Sequence, residues 1–321
     1  MGSSSAAPAH RSVEGADLRI GWNGGGGYRD LERLRDDVKR AERDGFSHFW
    51  LSQVMGLDSL TALAAVGADA PGIELGTSIV PLYGRHPLVL AGQALTTQAA
   101  LSGRLVLGIG PSHKRLIEHM YGGSYAKPLT RTREELRALK VLMAGDSFEF
   151  EGEEITVRGQ LSIQAPLPPI LIAALGPRML DLAGREAEGT ALWMVGPKTL
   201  SEHITPRIRE AASAASRPEP RILAGVPVCV TQDKARAKLH AMKSLKVYGL
   251  LPAYQSMISR EGLEGPEDIA IIGSEDEVRE RISLYQSGGA TDLRMSDMCP
   301  NEDESCRTRE LLVSVAAELN R

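Results

Sequence analysis

The chain has 321 residues, 42% of them hydrophobic, and a formal net charge of −4. That length supports one large core, and the slight acidity argues against the electrostatic footprint of a nucleic-acid binder. Three scattered cysteines (Cys229, Cys299, Cys306) exclude a disulfide framework or a zinc site, and no apolar run approaches the ~18 residues of a membrane span.

Residues 1–17 lack the apolar centre of a cleavable signal. They read as a disordered leader to a single domain at 18–321, and a cytoplasmic location is expected. Leu18–Trp22 is the first strand candidate. It runs into Asn23-Gly24-Gly25-Gly26-Gly27, where the glycines either let a ligand approach the backbone or form a flexible loop. Arg29–Asp44 carries Leu31, Leu34, Val38 and Ala41 at helical spacing among charges, an outer helix closed by Gly45. Ser47–Leu51 is the second strand, with Ser52-Gln53 at its exit. Ser59–Ala68 is a short helix capped by Asp58 or Ser59. Ile73–Ile79 is the third strand. Pro87 then suits the first turn of the helix Leu88–Leu101, because its missing N–H would have no partner there. Gly103 stops that helix, and Arg104–Ile109 is the fourth strand. These strands are apolar runs without alternation, as expected of parallel strands covered on both faces.

Ser112-His113-Lys114-Arg115 opens an excursion. It holds a helix, Arg131–Met143, with Glu134, Glu135, Arg137 and Lys140 toward water. A β-hairpin follows over Asp146–Gly159 around Gly152. The remaining strands are Ile170–Ala174, Thr190–Val195, Arg221–Val230 and Ala290–Met295. Helices follow at Met179–Glu186, from Pro197 through Ile208, and at Lys234–Val247, Glu275–Gln286 and Glu304–Asn320. Ser274 and Glu277 form a capping box, and Tyr248–Ile269 is a helical insertion. Strand alternating with helix at this length predicts an α/β fold, a (β/α)8 TIM barrel. It carries a small hairpin after strand 4 and a late helical insertion. No G-x-G-x-x-G follows the first strand, which disfavours a doubly wound open sheet.

Ligands of such barrels sit at the C-terminal ends of the strands. There, Gly176-Pro177-Arg178 is either a phosphate cradle at a helix N-terminus or an ordinary strand-to-helix turn. Gly108-Ile109-Gly110-Pro111-Ser112 either lays backbone along a ligand or relieves crowding. His113 is either a proton donor or a polar loop residue. Trp22, Phe49, Trp50 and Trp193 are core aromatics, of which one or two are candidates to wall a ring-shaped ligand. The chain has no HExxH, GxSxG or P-loop, and no carboxylate at the exits of strands two, three or four. A cofactor that brings its own reactive atom accounts for this gap.

Four segments carry a resemblance: LGTSIVPLYGRHP, GRLVLGIGPSH, TRTREELRALKVLMAG with its following FEFEGEEITV, and AALGPRMLDLAGREAEGTALW. Over Leu18–Met295 the chain resembles the bacterial-luciferase-like superfamily. More narrowly it is similar to the deazaflavin branch that uses coenzyme F420, which includes methylene-tetrahydromethanopterin reductases and F420-dependent glucose-6-phosphate dehydrogenases. The resemblance implies a homodimer of (β/α)8 barrels with F420, or alternatively FMN, at the rim. It implies a non-proline cis peptide at Ser78–Ile79, bulging behind the cofactor ring. It also implies ring contacts from Gly108, Ile109 and Gly110, with Ser112 at the edge, and a phosphate turn at Ala174, Leu175, Gly176, Pro177 and Arg178. Lys114, Arg115 and Arg178 would face the anionic oligoglutamate tail of F420.

The activity expected is a reductase that moves hydride to a C=C, C=N or C=O of a small organic substrate. Gln53, Asn23 and His113 are the candidates to orient or protonate it. An FMN-dependent monooxygenase and a non-catalytic cofactor-binding barrel are the alternatives. In the sugar-phosphate dehydrogenases an Asp-His pair follows strand two and a Glu follows the fourth-strand glycine. Here those places hold Ser52-Gln53 and Pro111, so that substrate does not carry over.

Overall fold

The computed structural model describes residues 18–319, so the expected leader at 1–17 and the expected helix end at Asn320 lie outside the described residues. Eight parallel strands close on themselves: β1 (Arg19–Gly25), β2 (His48–Leu51), β3 (Glu74–Thr77), β4 (Leu105–Gly110), β5 (Ile170–Ile172), β6 (Gly189–Trp193), β7 (Arg221–Val230) and β8 (Asp292–Asp297). Each pairs with the next, and β8 pairs with β1 through Arg19 opposite Asp292. Closure leaves no edge strand to protect within the barrel itself. The helices lie outside. The first, Leu31–Arg43, turns Leu34, Val38 and Ala41 inward, and Asp30 caps it by accepting from the Arg33 N–H at 2.8 Å. The expected hairpin is present, with Phe148–Glu151 antiparallel to Thr156–Gly159. The capping box is also present: the Ser274 N–H donates to Glu277 Oε2 at 2.8 Å.

The structure departs from the sequence reading in several places. β1 runs on through Asn23 into the glycines, which pair with β2 across a register shift and are thus partly strand rather than loop. A short helix, Lys114–Met120, fills the start of the excursion. The helix expected from Pro197 through Ile208 is continuous and runs on to Ala214, widening into a π-helical turn over Leu200–Ile204. An extra strand, Ile271–Gly273, pairs with the end of β7. Glu135 does not face water. It is buried against Arg131, with a 2.8 Å hydrogen bond, and burial pushes its carboxyl up to about 7 despite that partner.

Side chains of one face of each strand point into the barrel and stack in layers. At the N-terminal end lie His48, Glu74, Arg221 and Asp292, with Arg19 reaching in. Above them sits an apolar layer of Trp50, Val106, Leu171, Ala191 and Leu223, on which Ile79 packs. The C-terminal mouth lies above that layer.

Candidate active site

The third strand does not reach Ile79 unbroken. Its register with β4 runs from Leu75–Leu105 to Gly76–Val106, then resumes with Val80 opposite Ile109 and Pro81 opposite Gly110. The Ser78–Ile79 peptide is cis, at the place the resemblance implies. Between the two pairings the Thr77 hydroxyl replaces the missing ladder. It donates to Gly108 O and accepts from the Gly108 N–H, each at 2.9 Å. The bulge is tied to the exit of β2 as well. Ser52 Oγ donates to Ser78 O at 2.7 Å, the Ser78 N–H to Leu51 O at 2.9 Å, and the Gln53 N–H to Ile79 O at 3.3 Å. Gly108 is required here, because a Cβ would stand 1.9 Å from Thr77 O. The result is a floor of backbone and one apolar side chain, Ile79, over the Trp50 layer.

Beyond the floor, Ser112 takes a left-handed turn (φ 60°), and its carbonyl accepts from the Tyr125 hydroxyl at 2.8 Å. His113 follows, half-buried, with its ring 5.5 Å from that of Tyr254. Burial holds its imidazole below the ordinary value, so it is neutral at pH 7 and offers one N–H.

At the exit of β5, Ala174 is buried and Leu175 partly so, and Gly176 opens the helix Pro177–Glu186 without a side-chain cap. Nothing lies within 4 Å of where a Gly176 Cβ would be, and Arg178 is exposed. The Met179 and Leu180 N–H groups turn back to Gly176 O at 3.1 and 3.0 Å, and Pro177 has none to offer. The turn therefore presents a helix start to solvent with fewer outward donors than a fully open one. Lys114 lies 3.9 Å from Glu118.

Two of the other candidate residues take different parts. Gln53 is turned aside, its side-chain oxygen accepting from the Ser59 N–H at 2.7 Å and the Ser59 hydroxyl at 3.1 Å. It thereby anchors the start of the helix Ser59–Val66. Asn23 is buried at the mouth and accepts from Arg294 Nη1 at 2.9 Å.

That arginine is the residue sequence reasoning missed. Arg294 lies on β8, 3% exposed, with Nη2 donating to Leu192 O at 3.2 Å and its guanidinium carbon 5.0 Å from the centre of the Trp193 ring. Burial lowers its pKa to about 10, which leaves it charged at neutral pH. The insertion covers it. Tyr248 packs edge-on against Trp193 at 6.0 Å, and Tyr254 against Tyr248 at 5.2 Å. The signal was a lone cation inside an apolar strand, Leu293-Arg294-Met295. The described clefts lie elsewhere. One of about 300 Å³ is lined by Gly249, Gln255 and Glu264 on the insertion, and one of about 680 Å³ by Asp58, Arg85 and Gln93 between two outer helices. Among the described residues no group of three His, Cys, Asp or Glu side chains is placed to hold a metal, and no helix is long and apolar enough to cross a membrane.

The family model of the luciferase-like monooxygenases matches residues 16–292. The chain belongs to that family. Among curated relatives, it is 28% identical over 281 residues to a 5,10-methylenetetrahydromethanopterin reductase of Methanolobus tindarius, covering 86% of this chain and 85% of the relative. Among solved structures, it superposes on an F420-dependent secondary alcohol dehydrogenase in complex with an F420–acetone adduct (TM-score 0.79, 15% identity, 94% of this chain and 99% of the other). It also superposes on the FMN complex of the oxygenating constituent of 3,6-diketocamphane monooxygenase from Pseudomonas putida (TM-score 0.75, 18% identity, 94% and 98%). At those identities the superpositions establish the luciferase-like barrel fold alone. The chain is thus a member of the luciferase-like oxidoreductase family, in which both F420 and FMN are used.

Proposed function

We propose that this luciferase-like barrel is an F420-dependent oxidoreductase working as a reductase on a small organic substrate with a C=C, C=N or C=O bond. The observation that carries the reading is the floor at the mouth, where the Ser78–Ile79 bulge lies beside the side-chain-free Gly108 and is held by Thr77 and Ser52. A surface of backbone and one isoleucine suits the face of a planar tricycle. The open turn at Gly176 and Arg178 suits its phosphate. A curated relative of Mycobacterium tuberculosis, 27% identical and named a putative coenzyme F420-dependent oxidoreductase, supports F420 over FMN.

When bound, the deazaflavin supplies a hydride, two electrons with one hydrogen nucleus, to the electrophilic carbon of the substrate. The residues of this chain do the rest. Ile79, Gly108, Ile109 and Gly110 seat the ring, and Ser112 borders its edge. Ala174, Leu175, Gly176, Pro177 and Arg178 take the phosphate end. Tyr248 and Tyr254 exclude water from above. Neutral His113 would donate a proton to the substrate atom that gains the electron pair. Gln53 acts only by holding the helix start behind the bulge. The working unit is a homodimer, which sedimentation at the mass of one chain would refute.

The test is a titration of the purified full chain with F420 and with FMN, followed by ring fluorescence, and then turnover with and without oxygen. F420 binding with oxygen-independent oxidation of the reduced cofactor is expected. Tight FMN binding with oxygen-dependent turnover would instead make it a monooxygenase. Binding without turnover would make it a carrier.

A further inference from the structure

Among the described residues, two buried N–H donors at the mouth find no hydrogen-bond partner: Arg294 Nε and Trp193 Nε1. The Tyr248 hydroxyl is near enough to the indole for its own acidity to feel it, but Nε1 makes no bond of normal geometry. The two side chains touch, with the guanidinium 5.0 Å from the ring centre. A guanidinium has five N–H groups, and in Arg294 hydrogen bonds engage only Nη1 and Nη2, each with a neutral oxygen. Among the described residues no carboxylate pairs with it, and the ionisable groups acting on it are Tyr254 and Tyr248. A buried cation without a counter-charge is costly, and a buried donor without an acceptor adds to that cost.

The backbone is shaped around this arrangement. Gly225 of β7 stands beside Arg294, and a Cβ there would lie 2.7 Å from guanidinium Cζ, Nε and Nη2. The glycine makes room for the arginine to lie flat across the strand.

What completes such a wall is an acceptor, not a donor, and it should carry negative charge. We infer that Arg294 and Trp193 receive a carboxylate, so that the substrate of this barrel is an organic acid. This rests on reading the mouth as the substrate site, and it names the substrate class there. Asn23 is the positioning residue, because its side-chain oxygen holds Nη1 and fixes the guanidinium with Nε unpaired. Tyr248 and Tyr254 already lie over the pair and must swing aside to admit the acid.

Calorimetric titration of the cofactor-free full chain with benzoate and butyrate, each against its own amide, tests this. The acids should bind at least tenfold more tightly than the amides, as a charge-assisted hydrogen bond predicts. Arg294→Gln should abolish that preference. Trp193→Phe, which keeps the charge and removes one donor, should weaken it a few-fold. If Arg294→Gln does not fold, Trp193→Phe and the wild-type acid-to-amide ratio still decide. Equal affinity for acid and amide overturns the inference, as does a preference that survives Arg294→Gln. So does a result in which Arg294→Gln leaves the acids alone and weakens only F420 or FMN binding, since the missing charge would then belong to the cofactor ring. If neither cofactor binds but the acid preference stands, the F420 reading falls and this inference remains.

Discussion

The two ends of the barrel each hold an arginine and treat it in opposite ways. At the N-terminal end Arg221 is matched twice. Its Nε and Nη2 reach both oxygens of Asp292 at 3.0 and 2.9 Å, and Nη2 reaches Glu74 at 2.6 Å. Arg19 adds a further contact to Asp292. Burial alone would push the Asp292 carboxyl up, but Arg221 and Arg19 more than offset it and hold the group well below the usual carboxylate range. His48 completes this end. Its Nδ1 accepts from the Trp50 indole at 2.7 Å, so the neutral ring carries its proton on Nε2, 3.3 Å from Asp292 though without hydrogen-bond geometry. At the mouth, among the described residues, no carboxylate pairs with Arg294, and two donors stand idle. The same residue type in the same interior thus does two jobs. The closed end is a network whose charges are matched within the protein and fix the strands, and the mouth holds a cation without a counter-charge.

The strongest way to break the comparison is at the closed end. Asp292→Ala leaves Arg221 and Arg19 with Glu74 as their one shared carboxylate, and removing one partner of a buried pair costs about 3–5 kcal/mol. Urea unfolding should show that loss. A cost below about 1 kcal/mol would mean the network is not what fixes the strands.

Acid probes the same network. Asp292 and Glu74 are both depressed: burial raises each, and the arginines override it. Their stabilisation is complete above their unfolded values of 3.8 and 4.5 and is lost as pH falls through the folded ones. Burial also lowers His48, so below its unfolded 6.5 only the unfolded chain takes the proton readily, which again favours unfolding. Glu135, raised to about 7 by burial, takes its proton first in the folded state and opposes that loss between pH 7 and 4.5, so the steep decline in melting temperature should begin below about pH 4. Asp292→Asn should flatten the steep limb, and an unchanged limb would assign acid sensitivity elsewhere.

A smaller effect is expected at Gly225. Gly225→Ala places a methyl 2.7 Å from the guanidinium, which must swing away. Overpacking of this kind costs about 1–3 kcal/mol. The informative readout is the acid-over-amide preference in binding, which should fall with it. A variant that loses stability but keeps the preference would show that Arg294 can reach an anion from another rotamer.

The frame of this molecule was open to reading because local signals carry it. Apolar runs closed by glycine, the N1 prolines and the Ser274–Glu277 box depend on residues a few positions apart, and the eight strands followed. The floor was legible at Gly108–Gly110, and its partner bulge through family resemblance. What was hidden depends on distance along the chain. Asn23 and Arg294 are bonded across 271 residues, and no local pattern joins them. Gln53 looked free at a strand exit because its engagement with Ser59 depends on where the next helix begins. Glu135 looked solvated because a helical face cannot reveal that Arg131 and neighbouring elements cover it. The insertion at Tyr248 was placed correctly, but its role as a cover over Trp193 comes from packing that the sequence pattern does not encode.

The smallest expected effect is the most discriminating. Arg294→Met removes an uncompensated charge while filling most of its volume. The hydrogen bonds lost are to two neutral oxygens, Asn23 Oδ1 and Leu192 O, and the contact with Trp193 becomes thioether on ring instead of cation on ring. Relief of the buried charge offsets those losses, so stability should move by less than about 1 kcal/mol in either direction. Measured beside Asp292→Ala in the same denaturant series, this variant decides what the mouth arginine is for. A near-silent stability change together with lost carboxylate binding places Arg294 with the ligand. A loss as large as that of Asp292→Ala would make it a second structural arginine and erase the difference between the two ends of the barrel.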